Sequence, residues 1–265
     1  MAESLVFIAL GAVQGLTEFL PVSSTGHLIL ARELFNLNTE YSLAVDAVLH
    51  LATALAVLVY FRKDILRLTR SALSWVSGRA VEKSDKILIG ALILGTIPAL
   101  AFGLLFSDAL ESTFRSPQLV AYALIGGSVL FFAAERLAKQ NATLSVSKGI
   151  AIGFFQALAL IPGTSRSGAT ISGGLLLGLA REDAARFAFL LSFPVILGAG
   201  VLKLFDLESS GVLAAEGGNI ALAALAAFAS GMFAIHVLLR FLKTHTLDVF
   251  IIYRLALAAL ILFFF

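Results

Sequence analysis

Apolar stretches long enough to cross a bilayer recur along this chain at about residues 42–61, 87–106, 117–135, 184–203, 219–240 and 247–265. A membrane helix needs ~20 such residues, so the pattern predicts six full spans. Two more segments, 4–34 and 147–179, are apolar too, but each is too long for one span and too short for two. A polar turn interrupts each of them. Pro21 and Pro162 remove a backbone donor there, and Gly26, Gly163 and Gly168 allow unusual backbone angles. The expected element is a helix–break–helix hairpin that enters the membrane and returns to the same side. Non-helical backbone at that depth is tolerated only where protein or a water-filled cavity satisfies its polar groups.

The two breaks resemble each other. The first runs from Gln14 through Glu18-Phe-Leu-Pro21-Val-Ser23-Ser24-Thr25-Gly26-His27, the second from Gln156 to Pro162-Gly163-Thr164-Ser165-Arg166-Ser167-Gly168-Ala-Thr170. Each reads glutamine, apolar turn, proline, then hydroxyls with glycine.

Charge sets the orientation of the spans. Seven cations crowd the 62–86 loop, from Arg62 and Lys63 to Lys86, and Arg136, Lys139, Lys148, Arg181, Arg186, Arg240 and Lys243 fall on the same side. The opposite loops carry Asp108, Glu111, Asp206, Glu208 and Glu216, with Arg115 and Lys203 as their cations. The positive-inside rule places the first group in the cytoplasm and both termini outside. The first hairpin then enters from outside and the second from the cytoplasm, each followed by three spans. That is an inverted repeat, residues 1–140 and 141–265, and such repeats bring their broken elements together near the midplane.

Composition agrees with a polytopic membrane protein: 59% of residues are hydrophobic and 14% charged, with mean hydropathy +0.97. The chain has no cysteine, which excludes thiolate chemistry and disulfides. A net charge of +2 gives no ground for nucleic-acid binding. The first apolar run lacks a basic leader and contains Gln14 and Glu18, so it reads as part of the fold rather than a signal peptide.

The polar groups at the breaks define a chemistry. Arg166, beside Ser165, Ser167 and Thr170 and close to a helix start expected near Ser167, reads as a phosphate cradle, since guanidinium forks and helix-end amides both favour anions. Glu18 and Gln14 share a helix face, and Glu18 and His27 flank Ser23, Ser24 and Thr25. Together they offer a base, an acid and a hydroxyl nucleophile. A carboxylate with phosphate oxygens would also hold a divalent cation. Glu18 paired with Arg166 across the repeat is the structural reading of the same residues. Asp46 and His50 lie four apart near the outer end of their span, suited to helix–helix hydrogen bonding or to an accessory place at the site mouth. His236 reads as structural, Trp75 as an interfacial anchor, and Arg254, two turns into the last span, needs a buried partner.

The runs Gln14-x-x-x-Glu18 continuing to His27, and Pro162-Gly-Thr-Ser-Arg166-Ser-Gly-Ala-Thr170, resemble the two signatures of the bacterial undecaprenyl pyrophosphate phosphatases of the bacitracin-resistance type. The resemblance covers the whole length. It implies an inner-membrane enzyme that removes one phosphate from a C55 isoprenyl diphosphate carrier of cell-wall synthesis, with a divalent cation, Mg²⁺ or Ca²⁺. Gln14 stands where some members have Glu, and His50 where some have Gln.

The fold expected is therefore an all-α polytopic membrane protein built as an inverted repeat of re-entrant hairpin plus three transmembrane helices. Arg166, Ser165, Ser167, Thr170, Gly163, Ser23 and Thr25 would bind phosphate, Ser24 would attack with His27 assisting, and Glu18, with Gln14, would serve a metal or a proton. A transporter or lipid flippase for a polyprenyl phosphate is the rival, because inverted repeats with broken helices also suit alternating access. The sequence leaves the oligomeric state open.

Overall fold

The computed structural model describes the backbone of residues 2–35, 42–106, 116–209 and 212–264, and the side chains of residues 3–31, 45–106, 116–201 and 216–264. It is all-helical, with eleven helices among the described residues. They are α1 (Ala2–Phe19), α2 (Ser24–Phe35), α3 (Ser42–Tyr60), α4 (Arg62–Val76), α5 (Lys83–Leu105), α6 (Pro117–Leu137), α7 (Val146–Leu158), α8 (Arg166–Leu176), α9 (Arg181–Ser209), α10 (Val212–Phe241) and α11 (Asp248–Phe264). Four helices, α5, α6, α9 and α10, are long and apolar enough to cross a membrane by themselves, and the bent pair α3–α4 supplies a fifth candidate. The chain is thus a polytopic membrane protein.

Two expectations are revised. The 62–86 region is not a plain loop, because Arg62–Val76 forms α4, which turns 79° from α3. Alternating cations and Leu/Ile residues hide the helical period when only charge is counted. The 204–218 region is largely helical as well, with α9 reaching Ser209 and α10 starting at Val212. The acidic outer residues Asp108, Glu111, Asp206 and Glu208, with Arg115 and Lys203, lie outside the described side chains.

Local signals start several helices. Ser116 caps α6 ahead of Pro117 and accepts from the Leu119 amide at 3.4 Å, while Ser145 caps α7 through the Lys148 amide at 3.3 Å.

Small residues then set which helices touch. Gly11 and Gly15 on α1 lie so close to α10 that an added Cβ would sit 2.0 Å from the Ala223 carbonyl oxygen and 2.2 Å from that of Ala227. Gly149 and Gly153 on α7 lie equally close to Ala91 and Gly95 of α5. Both seams follow the small-xxx-small rule for close helix approach in lipid. Residue numbers rise together across each seam, so α1 runs parallel to α10 and α7 parallel to α5.

Polar contacts mark the two ends of the bundle. At one end Ser4 donates to Asn219 at 2.8 Å, joining the starts of α1 and α10. At the other end Glu135 of α6 pairs with Arg181 of α9 and accepts from the Leu247 amide at 2.9 Å. Lys243 beyond α10 pairs there with Glu182, and Arg186 pairs with Asp64 of α4 at 2.6 Å. The main apolar core lies between, around Phe19, Phe131, Phe189, Ile152 and Leu191.

Candidate active site

The site grows from the ends of two short helices. On α1, Gln14 and Glu18 sit one turn apart, both buried, and Gln14 Nε2 donates to Glu18 Oε2 at 3.0 Å. The helix stops at Phe19, and the chain restarts as α2 at Ser24 after Ser23, whose φ is +75°. On α7, buried Gln156 precedes a break that runs to Ser165, whose φ is +72°, and α8 starts at Arg166. The spacing from glutamine to serine is nine residues in both cases. Each serine caps its helix in the same way, with Gly26 N–H donating to Ser23 Oγ at 3.4 Å and Gly168 N–H to Ser165 Oγ at 3.3 Å. Ser24 and Arg166 are therefore matched first residues of two helices.

The fold brings these ends together. Arg166 Nη1 lies 3.4 Å from Glu18 Oε1, and Ser24 Oγ donates to Glu18 Oε2 at 3.0 Å. Ser167 Oγ, 3.3 Å from Ser165 Oγ, reaches across to the Leu20 carbonyl at 3.3 Å and ties one break to the other. Around them opens a small cleft of about 50 Å³, lined by Thr17, Glu18, Ser23–Thr25, His50, Ala159, Gly163, Ser165 and Arg166. The starts of α2 and α8 both face it, so two sets of helix-end amides and one guanidinium converge on one polar space. Arg166 Nη1 is buried, and its contact with Glu18 is an ion pair that does not reach hydrogen-bond geometry, so its N–H groups are left for an anion.

The histidines divide. His50 donates through Nδ1 to the Asp46 carbonyl at 2.7 Å, which turns Nε2 toward Glu18 Oε2 at 3.7 Å, and His50 lines the cleft. His27 donates through Nδ1 to the Ser23 carbonyl at 2.7 Å. Its Nε2 meets the Tyr253 hydroxyl at 2.6 Å, and the two rings stack with centroids 5.6 Å apart. Ser24 Oγ thus faces Glu18, and His27 faces Tyr253. Thr25 lines the cleft, whereas the Thr170 hydroxyl is spent on the carbonyls of Arg166 and Ser167 at 2.7 and 3.1 Å.

Arg254 finds its partner in the second break. It is fully buried and donates to the Gly163 carbonyl at 3.2 Å, the Leu124 carbonyl at 3.0 Å and Ser128 Oγ at 3.2 Å, with its guanidinium over the Phe131 ring. Gly163, at φ +101°, has no room for a side chain, since a Cβ would stand 2.5 Å from the Val120 carbonyl oxygen. Gly127 makes space for the arginine itself: a Cβ there would lie 2.2 Å from Arg254 Nη2. Tyr253, Gly127 and Ser128 were not singled out in the sequence. Their only trace is an arginine two turns into a span, which demands neighbours but does not name them.

Oxygen donors suited to a divalent cation sit beside the cleft. Gln14 Oε1 is buried without a hydrogen-bond partner on the same helix face as the Glu18 carboxylate. Among the described residues no three His, Asp or Glu side chains cluster as a metal centre. Mg²⁺ and Ca²⁺ take one or two carboxylates plus substrate oxygens, and of these two residues Glu18 lines the cleft while Gln14 stands behind it.

A helical membrane protein whose two helix breaks meet at a cleft lined by a carboxylate, an arginine and hydroxyls is the class these features define. The sequence profile described as Bacitracin resistance protein BacA matches residues 7–260, and the chain belongs to that family. It is 42% identical over 266 residues to an undecaprenyl-diphosphatase of Rubrobacter xylanophilus, with 98% of each chain covered. It is 46% identical over 263 residues to one of Myxococcus xanthus, covering 96% of this chain and 86% of the relative. With one of Chlorobium phaeovibrioides it shares 41% identity over 269 residues, covering 96% and 94%.

Proposed function

We infer that this chain is an undecaprenyl-diphosphatase, hydrolysing undecaprenyl diphosphate to undecaprenyl phosphate and inorganic phosphate. The observation that carries the reading is the meeting of Glu18, Ser24 and Arg166 at one cleft, with a hydroxyl already hydrogen-bonded to a carboxylate. A transporter needs an anion site but no such pair, so the contact favours the hydrolase over the flippase.

In this mechanism the terminal phosphate enters the cleft and takes the bidentate fork of Arg166, which leaves Glu18 for the anion. The amides at the starts of α2 and α8 bind the remaining oxygens. Ser24 Oγ attacks the terminal phosphorus while its proton passes to Glu18 Oε2. The bridging P–O bond breaks, and undecaprenyl phosphate leaves with the electron pair. Glu18 passes that proton to the departing phosphate, and the freed carboxylate then deprotonates a water that attacks the Ser24-bound phosphorus. The P–Oγ bond breaks, inorganic phosphate leaves, and Ser24 Oγ takes the proton back from Glu18. His50 Nε2 faces Glu18 at 3.7 Å, whereas His27, bound to Ser23 and Tyr253, fixes the first break rather than handling the proton. Glu18 and Gln14 Oε1 would hold Mg²⁺ or Ca²⁺, which would offset phosphate charge.

The same reading makes residues 1–140 and 141–265 an inverted repeat with six full spans and two re-entrant hairpins in the bacterial inner membrane. Its support is the shared glutamine-to-serine spacing and the mirrored seams, α1 on α10 and α7 on α5, which begin at opposite ends of the bundle. The positive-inside rule then opens the cleft to the periplasm. The polyprenyl tail would leave sideways into the bilayer.

The test is phosphate release from undecaprenyl diphosphate by the purified protein in micelles, with and without EDTA. Stoichiometric release supports the reading. A protein that binds the lipid tightly and releases nothing, with or without added Mg²⁺ or Ca²⁺, overturns it.

A further inference from the structure

The α4 helix takes no part in the cleft, yet it carries the densest charge of the molecule. It leaves α3 at 79°, so if α3 crosses the bilayer, α4 lies along its surface. Its inner side is docked. Leu68 is buried, and Asp85 of α5 accepts from Ser71 at 2.6 Å and pairs with Arg67. Asp64 takes Arg67 at 3.5 Å and Arg186 of α9 at 2.6 Å. The outer side is different. Leu66, Leu73 and Val76 are 55%, 65% and 89% exposed, and the first two stand seven residues apart on one stripe. Lys63 and Arg70 flank that stripe, and Arg79 and Lys83 follow just beyond the helix. None of these four cations has an ion-pair partner among the described residues. Among the described residues the nearby Glu82 is engaged only by Ser84, at 3.3 Å.

An apolar stripe continuous with membrane spans, flanked by unpaired cations, fits one partner by charge and position. We propose that α4 is an interfacial helix that seats Leu66, Leu73 and Val76 in the inner leaflet and gathers anionic phospholipid headgroups on Lys63, Arg70, Arg79 and Lys83. The partner is an anionic lipid surface. Each cation at such a surface is worth roughly a fivefold enrichment of anionic over neutral lipid, and the attraction fades within a Debye length.

The chain provides its own probe. Trp75 is its single tryptophan, lies at the end of α4, and stacks under Lys86 at 5.6 Å. The experiment reconstitutes the full protein in vesicles containing equal mole fractions of either brominated phosphatidylglycerol or brominated phosphatidylcholine, and reads Trp75 quenching. Quenching at least about twofold stronger by the anionic lipid, collapsing in high salt, is the expected result given that enrichment. The Lys63→Gln, Arg70→Gln, Arg79→Gln, Lys83→Gln variant should keep its thermal midpoint and be quenched equally by both lipids. Equal quenching in the unsubstituted protein overturns the headgroup selection. Absence of quenching by either lipid overturns the interfacial placement and leaves α4 as a surface for a soluble partner.

Discussion

Ser23 and Ser165 both hold a positive φ, +75° and +72°, nine residues beyond buried glutamines, and each caps the helix that follows it. Positive φ costs a non-glycine residue of the order of 1–3 kcal/mol, and a lost side-chain cap about 1 kcal/mol. Serine supplies the cap and tolerates the strain. Glycine would relieve the strain and cap only slightly less well.

The expected order of stability at residue 165 is therefore Ser165→Gly at or above the parent, and Ser165→Ala below it by about 1 kcal/mol. Thermal unfolding in one detergent checks it. An alanine variant as stable as the glycine variant would mean that neither cap nor strain is felt there.

Arg166→Lys keeps the charge and loses the fork. Its kcat should fall by about 10²–10³-fold, the range seen when one transition-state donor is removed. Glu18→Gln should be at least as damaging, because Ser24 loses the acceptor of its proton. Of Ser23→Ala, Ser24→Ala and Thr25→Ala, the middle variant should be the most damaging. Normal turnover by Ser24→Ala would assign the attack to water or another group.

Two adjacent glycines on α6 should respond in opposite senses. Nothing lies within 4 Å of a Cβ at Gly126, whereas one at Gly127 meets Arg254 at 2.2 Å. Gly126→Ala should stabilise by roughly 0.5–1 kcal/mol through helix propensity. Gly127→Ala should destabilise by about 1–3 kcal/mol as overpacking does, and should also lower kcat, because Arg254 holds the Gly163 carbonyl of the break that carries Arg166. Melting curves and phosphate release from the pair of variants separate the two effects.

The orientation can be read directly, since no cysteine needs removing. A cysteine at exposed Ser77 should react with an impermeant thiol reagent only in inverted vesicles or opened cells. One at exposed Gly218, at the far end of the bundle, should react in intact cells stripped of their outer membrane. Labelling of both from one side would refute the inverted repeat.

Much of this was legible in the sequence, and the losses have physical reasons. The breaks announce themselves through proline, glycine and hydroxyls inside apolar runs, and the fold brings Glu18 to within 3.4 Å of Arg166. The partition of the histidines was hidden. Spacing puts Asp46 and His50 on one face, but only the tertiary packing of α3 on α9 and α10 turns that face toward the cleft. Arg254 was marked by depth, yet its partners are main-chain carbonyls and one serine, which leave no pattern along the chain. The helix α4 was masked because its cations were counted for orientation and not for period.

The glycine seams impose an order on biosynthesis. When Gly149 and Gly153 leave the ribosome, their seat at Ala91 and Gly95 has already been made, so α7 can dock at once. Gly11 and Gly15 emerge about 200 residues before Ala223 and Ala227 exist. Throughout that interval α1, with Gln14 and Glu18 on it, waits for the helix that will cover its glycines. It is the stretch a membrane chaperone or protease would meet on a stalled chain, and a nascent chain stopped before Ala223 should be cleared rather than accumulate.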